Sequence, residues 1–185
     1  MTASDSHTTE VRLGGVGGQG IALAGTLLGE AAALYGNKEA VFTQTYGPEA
    51  RGGASRADLI ISDEPIAYPF VRNPDILVVL FQEAYEKFRP ELSPQGLLIV
   101  EKDLVHLQDD DAGAVRLPAV RIATELGNKL AANIVLLGFL VGATELVGRD
   151  AIEEAIRKRV RQQHLELDLK ALDAGIDFAR RAGRD

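Results

Sequence analysis

Two hydrophobic periods alternate along this chain, and the switches between them mark its elements. Residues 11–13 form a short apolar run that stops at a cluster of glycines, the pattern of a buried strand entering a tight turn. Over residues 21–35 the period lengthens: Leu23 with Leu27, and Ala24 with Leu28, fall on shared faces at i, i+4 spacing, which predicts a helix closed by Gly36-Asn37. Residues 40–45 and 54–62 read as strands separated by a loop rich in Gly and Pro. In the second of these, Ser55, Ala57, Leu59 and Ile61 share one face, whereas Arg56 and Asp58 point to the other. That charged face is expected to meet water or a partner. Residues 76–81 and 97–100 are continuous apolar runs, as parallel strands buried on both faces show, with a short helix expected between them at 83–88. Asp109-Asp110-Asp111 reads as a solvated acidic turn, and 115–117 as a last short strand. The strongly apolar stretch 130–146 is too short and too interrupted for a membrane span and reads as a core helix. Two charged amphipathic helices, 150–160 and 169–182, follow it.

Strands alternating with helices predict an α/β fold: a single Rossmann-like three-layer domain with a mostly parallel sheet and helices on both faces. Ligands are then expected at the crevice beyond the C-terminal ends of the strands. A length of 185 residues, with no repeat or linker, fits one domain at 10–185 after a polar segment at 1–9 that reads as a disordered tail.

Composition narrows the function. A formal charge of −7 argues against a nucleic-acid backbone binder, which needs a surplus of Lys and Arg on one face. The absence of cysteine removes disulfides, thiolate zinc sites, Cys nucleophiles and Cys-ligated iron–sulfur clusters together, so any electrons travel through another chain. The first residues carry neither a basic nor an apolar leader segment, so cytoplasmic residence is the expectation. His7, His106 and His164 show no metal-ligand spacing and read as surface residues.

Gly15-Val16-Gly17-Gly18-Gln19-Gly20 fits GxGxxG between a predicted strand and helix. Glycines there permit positive φ and close backbone approach, and a helix N-terminus offers free N–H groups to a phosphate or carboxylate. A dinucleotide site also wants an Asp or Glu at the end of the second strand, where this chain has Gln44 and Thr45. The glycines equally suit a plain close contact between helix and strand. Tyr46-Gly47-Pro48-Glu49-Ala50-Arg51-Gly52-Gly53 is a long loop expected beside the first, and Arg51 offers a planar fork to a carboxylate or phosphate. An internal ion pair of Arg51 with Glu49 or Asp58 is the competing use.

GVGGQG at 15–20, TQTYGPEARGGASR at 43–56 and ISDEPIAYP at 61–69 together resemble the gamma subunits of 2-oxoacid:ferredoxin oxidoreductases, a unit also found fused within single-chain pyruvate enzymes (the pyruvate/ketoisovalerate oxidoreductase gamma domain). The likeness covers residues 11–133. It implies that alpha- and beta-type catalytic subunits hold thiamine diphosphate and a magnesium ion. A ferredoxin-like delta subunit or ferredoxin, with iron–sulfur clusters, then takes the electrons as a 2-oxoacid becomes an acyl-CoA. The chain itself would hold no cofactor, catalytic residue or metal, and would help receive the substrate coenzyme A. By the same resemblance, Gly17, Gly18, Gln19 and Gly20 face the active-site entrance, with Tyr46, Glu49 and Arg51 beside them. The YGPEARGGASR form is more similar to the 2-oxoglutarate branch than to the pyruvate branch, whose glycine loop carries a basic residue where Val16 stands. With no GDG pattern of a thiamine diphosphate site in the chain, it is expected to be inert alone. The alternatives are a free-standing Rossmann-type nucleotide-binding enzyme and a purely structural assembly subunit.

Overall fold

A computed structural model describes residues 8–45 and 53–183. Strands β1 (Thr8–Val16), β2 (Glu39–Thr45), β3 (Ala54–Ser62), β4 (Ile76–Val79), β5 (Leu97–Glu101) and β6 (Val115–Leu117) make one sheet in the order β2-β3-β1-β4-β5-β6. Strands β4, β5 and β6 run parallel to β1, whereas β3 is antiparallel to both β1 and β2 and is the one reversed strand. The mostly parallel sheet and the Rossmann-like α/β layering therefore stand as the sequence predicts. β1 begins at Thr8, inside the segment read as tail, because the Thr8 hydroxyl meets that of Ser62 at 2.9 Å and the register Thr8↔Ser62 carries both strands to their ends.

Side-chain alternation splits the core into two unequal parts. Leu13, Leu59, Val78 and Ile99 face a thick helical layer; Leu77, Val79, Leu98 and Val100 face a thinner cluster with Tyr85 and Phe88 of α2 (Gln82–Phe88). The thick layer holds α1 (Ile21–Glu30), α3 (Ala119–Glu125), α4 (Ala132–Thr144), α5 (Arg149–Arg159) and α6 (Gln162–Ala182). A π-helical segment, Ala31–Tyr35, continues α1. Every residue from Ala132 to Val141 of α4 is buried, so this helix is apolar all round. Its close neighbour is α6: a Cβ on Gly138 would overlap the Leu172 carbonyl, and one on Gly175 the Val135 carbonyl. Backbone meets backbone there because glycine removes the side chain that would hold the helices apart.

Three expectations need correction, and one helix was not foreseen. The Arg56/Asp58 face of β3 meets water only in part: the Arg56 side chain is 36% exposed, but Asp58 is 5% exposed and lies under the α2 cluster, where Arg12 of β1 forks onto it at 2.7 and 3.1 Å. Pairing with Arg12 offsets the cost of burying the carboxylate. The acidic turn is only partly solvated, because Asp111 is 6% exposed and accepts from the Tyr85 hydroxyl and from Arg89. The core helix begins at Ala132; Leu130 sits in a preceding 3-10 turn and is 65% exposed. Helix α3 had no counterpart in the sequence reading.

Candidate functional site at the glycine rim

The C-terminal ends of β1, β4 and β5 define one rim of the sheet. Register places the two loops of interest there together: Gly15 faces Ser55, Val16 faces Ala54, and Thr45 faces Arg56. The loop after β1 and the connection from Thr45 to Gly53 thus leave neighbouring strands at the same rim, and the Ser55 hydroxyl donates to the Gly15 carbonyl at 3.1 Å. Tyr46, Glu49 and Arg51 lie outside the described residues.

Within the first loop the four residues divide their work. Gly17 is exposed with open space around its Cα, and Gly18 adopts φ +88° beside open space. Gly20 adopts φ +74°, and a Cβ there would overlap Nδ2 of Asn133. Gln19 turns inward instead: its Oε1 accepts from the Val16 amide at 2.9 Å and its Nε2 donates to the Leu80 carbonyl at 3.3 Å. Its carboxamide braces the loop between β1 and the end of β4. No local pattern marks the second brace. Asn133, 4% exposed on α4, donates from Nδ2 to the Gly20 carbonyl at 3.1 Å across 113 residues of sequence.

These braces hold the N-terminus of α1 open. Gly20 is its N-cap, no side chain caps it, and no acid stands in its first turn, so its leading N–H groups face outward as donors for an anion. Two clefts flank the loop and share Gly18 and Leu130. One, of about 370 Å³, brings Asn133, Arg161, His164 and Asp168 around Gly20. The other, of about 330 Å³, is walled by Leu80, Leu104 and Val120, with Lys129 at its mouth. Glu101, fully buried at the end of β5, shapes that wall by accepting from the amides of Asp103, Leu104 and Val120 at 2.7, 2.8 and 3.2 Å. Burial pushes the Asp168 carboxyl above the ordinary aspartate range, and nearby His164 pulls it partly back.

The arrangement offers backbone donors, cations and apolar walls at one rim, features that suit an anion. Among the described residues no group of three or more His, Asp or Glu side chains could hold a metal ion, and no helix is long and apolar enough to cross a membrane. Gln44 and Thr45 end β2, so the ribose-binding acid of a dinucleotide site is missing from its expected place.

Residues 10–178 match the family described as pyruvate ferredoxin/flavodoxin oxidoreductase. The chain belongs to this family. It is 47% identical over 175 residues to the 2-oxoglutarate synthase subunit KorC of Methanocaldococcus jannaschii, a match that spans 92% of this chain and 94% of the relative. The crystal structure of a keto/oxoacid ferredoxin oxidoreductase gamma subunit from Geobacter sulfurreducens superposes with a TM-score of 0.84 at 39% identity, covering 95% of this chain and 98% of that one. With the ketoisovalerate oxidoreductase subunit VorA of Methanothermobacter thermautotrophicus the identity is 32% over 176 residues, covering 92% of this chain but 36% of the relative. Membership of the pyruvate ferredoxin/flavodoxin oxidoreductase family, in its gamma-subunit form, is what the three sequence motifs implied.

Proposed function

We propose that this chain is the gamma subunit of a 2-oxoglutarate:ferredoxin oxidoreductase. The complex would convert 2-oxoglutarate, coenzyme A and oxidised ferredoxin into succinyl-CoA, carbon dioxide and reduced ferredoxin. The observation that carries the choice of 2-oxoacid is the 47% identity, across nearly the full length of both chains, with a 2-oxoglutarate synthase subunit. Alpha- and beta-type subunits supply thiamine diphosphate and its magnesium ion, and a ferredoxin-like delta subunit or ferredoxin supplies iron–sulfur clusters. A chain without cysteine cannot ligate such clusters through thiolates. The assembly is cytoplasmic.

The contribution of this chain is coenzyme A access at the glycine rim. Gly17 and Gly18 let the ligand approach the backbone, Gln19 and Gly20 hold the α1 N-terminus toward its phosphates, and Tyr46, Glu49 and Arg51 complete the entrance. The open helix N-terminus and the adjacent cations support this reading.

The test is recovery of the native complex through a tag on this chain, followed by dye-reduction assays with each 2-oxoacid. Dependence on 2-oxoglutarate and coenzyme A is the expected result; preference for pyruvate, or recovery of a lone homo-oligomer, would refute the assignment. In the recovered complex, Arg51→Ala is expected to raise the KM for coenzyme A with assembly intact. Weakened assembly with an unchanged KM would favour a purely structural role.

A further inference from the structure

Four carboxylates are buried among the described residues, and three of them are paired. Asp58 is forked by Arg12, Glu101 collects three amides, and Asp111 accepts from Tyr85 and Arg89. Asp168 on α6 is different: it is 9% exposed, yet it accepts no hydrogen bond from a described residue. No side-chain oxygen sealed from solvent lacks a partner among the described residues, so both Asp168 oxygens keep a small opening, and the residue lines the cleft beside Gly20. A buried acid of this kind carries a desolvation cost that a donor from outside would offset.

The rest of the cleft attracts the opposite partner. The uncapped N-terminus of α1 opens into it through Gly18 and Gly20. Arg159 is committed to Glu30 at 2.9 Å, whereas Arg161 makes no ion pair with a described residue and stands free for a phosphate. A ligand that was phosphate throughout would meet Asp168 as a like charge. The ligand that satisfies both ends carries phosphate at one and uncharged N–H donors at the other. Leu130, Ile134 and Leu167 give the cleft apolar walls, which suit a flat aromatic base bearing an amine. His164, one turn before Asp168, favours the ionised, accepting form of its carboxyl.

Size adds a further restriction. A volume of about 370 Å³ is near the lower end of the range of about 300–1,000 Å³ for small-molecule sites, so the cleft houses one end of an elongated ligand. It shares Gly18 and Leu130 with the neighbouring apolar cleft, and Gly18, with open space where a Cβ would stand, lets the rest of the ligand pass between them. We propose that Asp168 selects the base of coenzyme A: its carboxylate accepts from the exocyclic amine of the adenine, the phosphates turn to the α1 N-terminus and Arg161, and the pantetheine arm crosses Gly18 into the second cleft. An ionised carboxylate only accepts, so a base with a carbonyl in place of that amine is rejected. This specifies the coenzyme A access proposed above and rests on it.

The experiment measures, in the recovered complex with wild type or Asp168→Ala, the KM for coenzyme A and for ethenocoenzyme A, in which a two-carbon bridge removes both hydrogens of the adenine amine. Thermal unfolding of the free chains runs alongside. Wild type should favour coenzyme A about 10-fold, the worth of a hydrogen bond to a charged group, and Asp168→Ala should treat the two alike within about 2-fold. Because the carboxylate has no described partner to lose, Asp168→Ala should melt no lower than wild type. Free ADP should compete with coenzyme A; noncompetitive inhibition would assign the cleft to a separate nucleotide and overturn the proposal. Wild type that treats the two coenzymes alike, or a variant that loses affinity for both equally, also overturns it and leaves the coenzyme A reading in place. A complex that turns over without coenzyme A overturns both.

Discussion

Replacing Gly20 by alanine tests whether the glycine loop is braced by Asn133 or merely near it. The substitution meets two separate penalties. Holding a residue with a Cβ at φ +74° costs about 1–2 kcal/mol. The new Cβ would also overlap Asn133 Nδ2, so the amide has to move and lose its hydrogen bond to the Gly20 carbonyl, at about 1 kcal/mol. The single variant should therefore be destabilised by about 2–3 kcal/mol. Asn133→Ala alone should cost only about 1 kcal/mol, because the Gly20 carbonyl keeps its bond from the Ala24 amide at 3.0 Å and is not left bare. Once Asn133 is truncated, the second penalty of Gly20→Ala no longer exists. The double variant is then expected to be no less stable than Gly20→Ala, a coupling of about 1 kcal/mol in a double-mutant cycle. Urea unfolding midpoints of the four proteins measure it. If the two costs simply add, so that the double variant falls about 1 kcal/mol below Gly20→Ala, the brace does not exist as described.

Gly175→Ala should lower the melting temperature by about 4–8 °C: overpacking against the Val135 carbonyl and the Phe139 amide, at about 3 kcal/mol, outweighs a helix-propensity gain of about 1 kcal/mol. Gly113→Ala, which points into open space, should leave it within about 1 °C, and calorimetry showing Gly175→Ala as stable as wild type would discredit the α4–α6 contact. The Arg89 guanidinium, helped by the Tyr85 hydroxyl and opposed by burial, holds the Asp111 carboxyl below the ordinary aspartate range. The unfolded carboxyl therefore takes up its proton at higher pH than the folded one, so this stabilisation is present above about pH 4 and is lost as pH falls further. Asp111→Asn should accordingly show a shallower acid decline than wild type in denaturant titrations between about pH 6 and pH 3, and parallel curves would contradict the pairing.

What could be read from the sequence was whatever repeats locally. Strand β3, from Ala54 to Ser62, and the helical run that closes at Gly36 are legible because a period of two or of 3.6 shows within a dozen residues. Helix α3 escaped because AVRIATE is seven residues long and begins directly after Pro118, too short to set up a period. The partner of Asp58 escaped for a different reason. Arg12 lies 46 positions away, and only the pairing of β1 with β3 brings the two charges onto one face. The candidate site shows the same division. Its glycines are legible because positive φ leaves a mark on residue type, whereas Asn133, Glu101 and the Arg161–His164–Asp168 side of the cleft are assembled by helix packing and strand ends that no local pattern encodes.

The reversed strand β3 also bears on how such a rim can change over time. Because β2 and β3 are consecutive and antiparallel, β2 ends and β3 begins at the rim that carries the glycine loop. Residues can be gained or lost there without resetting the register of either strand or the seat of any helix. Natural selection could thus remodel that rim by editing the stretch between two strands, while the scaffold beneath it stayed as it was.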